Sequence, residues 1–303
     1  PHSWALGIYQ NKRTSNMCQL HVKNHYVPKS YLKRWTNTHS KVYTYRVLVE
    51  HAKVPIWKSH SVSAIAYHRH LYTQLISGYE SDRLENWLDR EFESPANQVL
   101  DRAISEGKLK SGDWEVLIKF LAAQDVRTPA RLFEHLQRGE KILSETLQEV
   151  LTNLPEKLEK IDHSEFISKA DSANLQPFPL KISTQFEDGA DTGILKVESY
   201  VGRSTWIHSI RRLLENTSNI LHSHRWSIVK PAIGYYWPTS DNPVVRLNYS
   251  SLGKYDLKGG WNVTKGNIFF PIGPEHAMFV QIGERPVQKN KRLPIQKTKE
   301  LIK

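Results

Sequence analysis

The chain has 303 residues, room for one large domain or two of roughly 150 residues each, and its nine Trp, nine Phe and thirteen Tyr supply core material that a disordered chain lacks. No apolar run approaches the ~18 residues that span a bilayer, so no membrane partner is expected. The single cysteine, Cys18, rules out an internal disulfide and fits a reducing cytoplasm.

The net charge of +11 sits at the ends. Residues 1–60 hold ten Lys or Arg against Glu50 alone, and residues 284–303 hold seven against Glu284 and Glu300. A basic arm beside a near-neutral body can hold phosphates by counterion release, or can simply be a solvated surface. Residues 1–20 read as a tag or remnant outside the fold, residues 21–283 as one domain, and residues 284–303 as a basic C-terminal segment.

In chain order, residues 41–49 alternate with β-branched and aromatic types and predict a strand. A further short strand is expected within residues 62–72. From residue 81 the apolar spacing turns helical: Leu84, Trp87, Leu88 and Phe92, then Val99, Leu100, Ala103 and Ile104. Ser94-Pro95 falls between the two sets, so two helices or one kinked helix fit. The next helix is capped near Ser111 or Asp113 and buries Trp114, Leu117, Ile118 and Leu121. Thr128-Pro129 should end or kink it. Helix resumes over residues 131–137, and another runs over residues 140–158. Residues 170–192 read as a loop holding at most one short strand, and a helix follows over residues 204–222. The last third predicts strands at residues 225–229, 234–237, 244–247, 267–270 and 277–282. A helical middle between an N-terminal β part and a strand-rich end makes the fold α+β. No glycine-rich strand–turn–helix unit is present, nor a His-Glu-x-x-His, Cys-x-x-Cys, Gly-x-Ser-x-Gly or EF-hand pattern.

Three polar clusters stand out. In His25-Tyr26-Val27-Pro28, followed by Tyr31 and Trp35, His25 is a candidate general acid or base because its ordinary pKa lies near 6.5; a hydrogen-bonded histidine in a packed corner is the plainer alternative. Gln124 and Arg127 share a helix face, and Arg127 beside the proline could aim its fork at a phosphate, or at a buried carboxylate such as Glu85 or Glu93. In Thr239-Ser240-Asp241-Asn242-Pro243, Asp241 could be a base or bind a divalent metal, the candidate cofactor, or could only complete a turn. The His68/His70 and His222/His224 pairs suggest no metal site, since the second lies at a predicted helix end.

The ordered set His25-Tyr-Val-Pro-x-x-Tyr-Leu-x-x-Trp35, Gln124-x-x-Arg-Thr-Pro129, Thr239-Ser-Asp-Asn-Pro-Val244 and Phe270-Pro-Ile-Gly-Pro274 resembles domain of unknown function 4238, a mostly bacterial family. The resemblance spans about residues 25–282, with Trp35 where the family usually has Phe. It implies one domain with the helical middle inserted between β parts. It also brings His25, Arg127 and Asp241 forward as a joint set, although it implies no reaction.

The reading that follows is a nuclease or related phosphoester hydrolase. His25 is its acid or base, Arg127 neutralises phosphate charge, and Asp241 orients His25 or binds a metal. Gln124, Asn242, Lys29, Lys33 and Arg34 are candidate substrate contacts, and nucleic acid is the candidate partner. One alternative is a non-catalytic module binding nucleic acid or protein through Tyr26, Tyr31 and Trp35 with their basic neighbours. Another is an enzyme for a small anionic molecule clamped by Arg127. The sequence leaves the oligomeric state open.

Overall fold

The computed structural model describes residues 22–46, 55–76, 79–159, 180–186, 193–199, 201–251, 254–256 and 260–302. The N-terminal part holds β1 (Lys23–His25), α1 (Lys29–Leu32) with a 3-10 turn over Lys33–Trp35, β2 (Lys41–Tyr45), β3 (Trp57–Ser61), a second 3-10 turn over Val62–Ala64, β4 (Tyr67–Arg69), β5 (Gln74–Ile76) and β6 (Tyr79–Ser81). They pair as three antiparallel two-stranded ribbons, β1 with β4, β2 with β3, and β5 with β6.

The helical middle follows with α2 (Arg83–Leu88), a π-helical turn over Asp89–Glu93, α3 (Ser94–Ile104), α4 (Ser111–Val126) and α5 (Pro129–Glu159). Pro95 neither breaks nor sharply separates the first two. A proline cannot donate to the carbonyl four residues back, and the widened turn accommodates that missing bond while the helical path continues. Thr128-Pro129 does end α4. Pro129 then opens α5, where its fixed φ suits the first helical position. The two helices expected across residues 131–158 are one, because a single Gly139 costs only about 1 kcal/mol in a helix. The corner between α4 and α5 is pinned by Arg131, which donates to Asp125 and Glu134. Burial pushes the Asp125 carboxyl up against the opposing pull of Arg131 and Arg246.

β7 (Leu180–Phe186) and β8 (Gly193–Ser199) form a fourth ribbon, and α6 (Arg203–His222) packs on α4. The expected loop at 170–192 thus contains a seven-residue strand. Its other residues, like residues 47–49 of the first expected strand and residues 1–20, lie outside the described residues.

The chain closes with β9 (Ser227–Lys230), β10 (Val245–Ser251), β11 (Lys254–Asp256), β12 (Asn267–Gly273), β13 (His276–Gln281), β14 (Lys291–Arg292) and α7 (Ile295–Ile302). These strands make one sheet in the order β11-β10-β12-β13-β9-β14, antiparallel except for β14 beside β9. Residues 234–237, expected as a strand, are a turn: Gly234 has φ +83, and the Trp237 N–H donates to Pro274 O at 2.7 Å.

Strand periodicity divides the core in two. Ile268, Phe270 and Ile272 of β12, with Met278 and Val280 of β13, face the helices and the N-terminal part. Phe269, Ala277 and Phe279 face the other way, onto Trp237, Leu293 and Leu301. The C-terminal residues set apart by their charge therefore supply β14, an edge strand of the sheet, and α7, whose Leu301 packs on the sheet's second face. The fold is α+β. No helix among the described residues is long and apolar enough to cross a membrane.

Candidate functional site

His25 ends β1, where pairing with Tyr67 of β4 places the two rings 5.6 Å apart. Its side chain is nearly enclosed, and its Nε2 is buried from solvent with no hydrogen-bond partner among the described residues. Burial lowers its pKa, and the charge of Lys29 lowers it further; hydrogen bonding to the backbone at Ser63 and Lys23 acts in the opposite direction. The imidazole is therefore neutral near pH 7, with a nitrogen able to accept a proton. Lys23 lies over the Tyr67 ring at 5.2 Å, so two lysines flank the histidine.

Arg127 lies behind this strand. Its guanidinium is 1% exposed. It pairs with Glu93, donates from Nη2 to the His25 carbonyl oxygen at 2.7 Å and donates from Nε to the Tyr72 hydroxyl at 3.3 Å. The Tyr72 hydroxyl donates in turn to the Arg127 carbonyl at 2.5 Å. Burial works against the guanidinium's charge, but Glu93 and Tyr72 outweigh it and hold the pKa above its ordinary value. Of the carboxylates weighed from sequence, Glu93 is the partner, and the fork grips the backbone that presents His25.

The remaining motif residues join the same region. Thr128 donates to Asn242 Oδ1 at 3.2 Å. The buried Tyr31 hydroxyl reaches Pro271 O at 2.6 Å and Thr239 Oγ1 at 2.9 Å, and its ring stacks on Phe270. Pro271 is tolerated in a central strand because the β10 ladder stops at Phe269 and the β13 register shifts between Pro271 and Gly273. Trp35 Nε1 donates to Trp237 O at 2.9 Å. A Cβ on Gly273 would stand 3.2 Å from Ile104, so this glycine permits α3 to lie close on β12.

Asp241 is exposed, and its charge is felt at the half-buried Tyr26 phenol, whose pKa burial and Asp241 both raise. The segments carrying His25, Arg127 and Asp241 thus meet, with Asp241 acting on Tyr26. Lys29 and Lys33 are exposed. Arg34 is engaged with Ser30 O and Asp101. Gln124 is fully buried, and neither of its amide atoms has a partner among the described residues. Tyr31 is fully buried, and Trp35 is partly buried with its ring N–H engaged by Trp237 O.

No three His, Cys, Asp or Glu side chains among the described residues converge as a metal site. His222 and His224 instead line a groove with no local sequence signal, because it is formed where α4, α6 and the π-helical turn meet. Two cavities of about 840 and 550 Å³ share Glu115 and His222. Trp87, Phe92 and Arg211 line the first, and Trp114, His224 and Trp226 the second.

Among curated proteins and among solved structures, no match to the chain was found. The family model described as "Protein of unknown function (DUF4238)" matches residues 23–302, a span that takes in every motif of this knot, and the chain belongs to that family.

Proposed function

We propose that the protein is a cytoplasmic phosphoester hydrolase acting on nucleic acid, with His25 as its general base. The observation that carries the reading is the His25 ring, held neutral by burial, with an unpartnered Nε2 and with Lys29 close by. In the proposed step the His25 ring, whose Nε2 is shielded from solvent in the structure, turns outward, and Nε2 takes a proton from a water as its oxygen attacks phosphorus. A phosphorus–oxygen ester bond then breaks, and the leaving oxygen recovers a proton from the imidazolium or from solvent. Lys29 offsets charge on the phosphate. The Tyr26 phenol is kept protonated by burial and by Asp241. Arg127 is a positioning residue that fixes the His25 main chain. Asn242 positions the α5 entry through Thr128.

The test is incubation of the purified protein with RNA and DNA, with and without magnesium or manganese, beside His25→Ala and Asp241→Ala. Cleavage lost in His25→Ala with folding intact supports the reading, and equal cleavage by that variant overturns it. The groove beside Arg211 favours a second reading, a site for a small anionic molecule. It predicts ligand-dependent stabilisation that Arg211→Ala removes and His25→Ala leaves.

A further inference from the structure

The β2–β3 ribbon turns three large aromatic side chains to solvent. Tyr43, Tyr45 and Trp57 are 62%, 52% and 61% exposed. Register puts them on one face: Tyr43 and Tyr45 are two apart on β2, and Trp57 of β3 is directly opposite Tyr45, their ring centroids 5.0 Å apart. Lys41 continues the same row, while Val42, one residue out of phase, is buried and anchors the ribbon's other face. Three large exposed rings in a row, opposite a face on which Val42 is buried, are not explained by packing.

The sequence that carries them is one-sided in charge. Residues 1–79 contain eleven Lys or Arg and a single acid, Glu50, and residues 22–46 and 55–76 contain no acid at all. A ribbon presenting rings on stretches of chain that bear lysines and arginines and no carboxylates of their own complements a polyanion that carries its own aromatic faces. That chemistry is a single-stranded nucleic acid, whose bases stack on aromatic rings while lysines follow the backbone. In a duplex the bases are already stacked on each other and leave no free face.

We infer that Tyr43, Tyr45 and Trp57 form a stacking platform for single-stranded nucleic acid. The inference rests on the hydrolase reading for its role: it names the substrate as single-stranded and explains how that substrate reaches His25. β3 runs from Trp57 to Ser61, about 13 Å at roughly 3.3 Å per residue, and passes straight into the turn whose Ser63 backbone bonds His25. A strand stacked at Trp57 and following β3 therefore leads toward the histidine.

The test is fluorescence anisotropy of the full protein with a short labelled oligothymidylate whose phosphorothioate linkages resist cleavage. The triple variant Tyr43→Ala, Tyr45→Ala, Trp57→Ala should bind at least about tenfold more weakly, since each lost stack is worth about that factor or more. Trp57→Phe, which keeps a ring, should lose less than Trp57→Ala, and a duplex of matching length should compete poorly. Because the three side chains are exposed, an unchanged melting temperature will show that the variant is folded. Equal affinity of the triple variant and the parent, or no binding by the parent, overturns the platform. A shift of the variant from dimer to monomer with affinity unchanged also overturns it, and assigns the face to a second copy of the chain. The readout is binding, so its failure leaves the His25 cleavage test standing, and failure of cleavage leaves this measurement interpretable.

Discussion

The Arg127 guanidinium donates to the backbone carbonyl of His25 at 2.7 Å, joining residues 102 apart in the chain. The same fork holds Glu93, so removing it strands a buried carboxylate. Arg127→Met is expected to destabilise the protein by about 3–5 kcal/mol. Arg127→Lys should not recover this, because an ammonium cannot serve three acceptors in the fork's geometry. Urea unfolding reads both; a loss below about 1 kcal/mol for Arg127→Met contradicts the assignment.

Tyr31 links the N-terminal part to the sheet through its hydroxyl. Tyr31→Phe leaves the buried Pro271 carbonyl without its donor and should cost about 1–3 kcal/mol. Tyr43→Phe, on the exposed face of β2, should change stability by less than about 0.5 kcal/mol. Equal effects in thermal unfolding would remove the distinction drawn between the buried and the exposed aromatic residues.

His25, His135 and His276 all have pKa values lowered from 6.5, with burial as the leading cause. The unfolded chain therefore takes up protons first as the pH falls through 6.5. The stability these residues contribute is present above that value and is lost as the pH drops toward their folded pKa values. The melting temperature should fall on going from about pH 7 to about pH 5, and His25→Gln should flatten part of the decline. A melting temperature that rises over this interval contradicts the lowered values.

Gln124 holds a fully buried amide without a partner among the described residues. Gln124→Met, similar in volume and without the polar atoms, should raise stability by about 1 kcal/mol or more. Denaturant unfolding checks this. A comparable loss instead would mean that the amide is bonded in the folded protein.

The α+β class and most elements were legible because their signals are local: 3.6-residue spacing around Leu117 and Leu121, alternation through β2, and the proline that closes α4. Of the two helices or one kinked helix expected around Pro95, the structure has a continuous helical path through a π-helical turn, and the break expected near Gly139 is absent because a long helix tolerates the glycine. The residues of the candidate site were legible as types and not as roles. Nothing in the spacing of Arg127 says whether its fork meets solvent or the carbonyl of His25; that depends on Glu93 and Tyr72, 34 and 55 residues away. The aromatic row on β2 and β3 was missed for a related reason. Alternation marks a strand with two unlike faces, but which face is buried is decided by contacts from outside the strand, as at the buried Val42.

The central claim is that His25 acts as a base on phosphoesters, and the most direct measurement is the pH dependence of oligonucleotide cleavage by the parent protein and His25→Gln. The account predicts cleavage by the parent that is lost on an acidic limb lying below pH 6.5, and none above background in the variant. Cleavage by His25→Gln at the parental rate with the same acidic limb would contradict it.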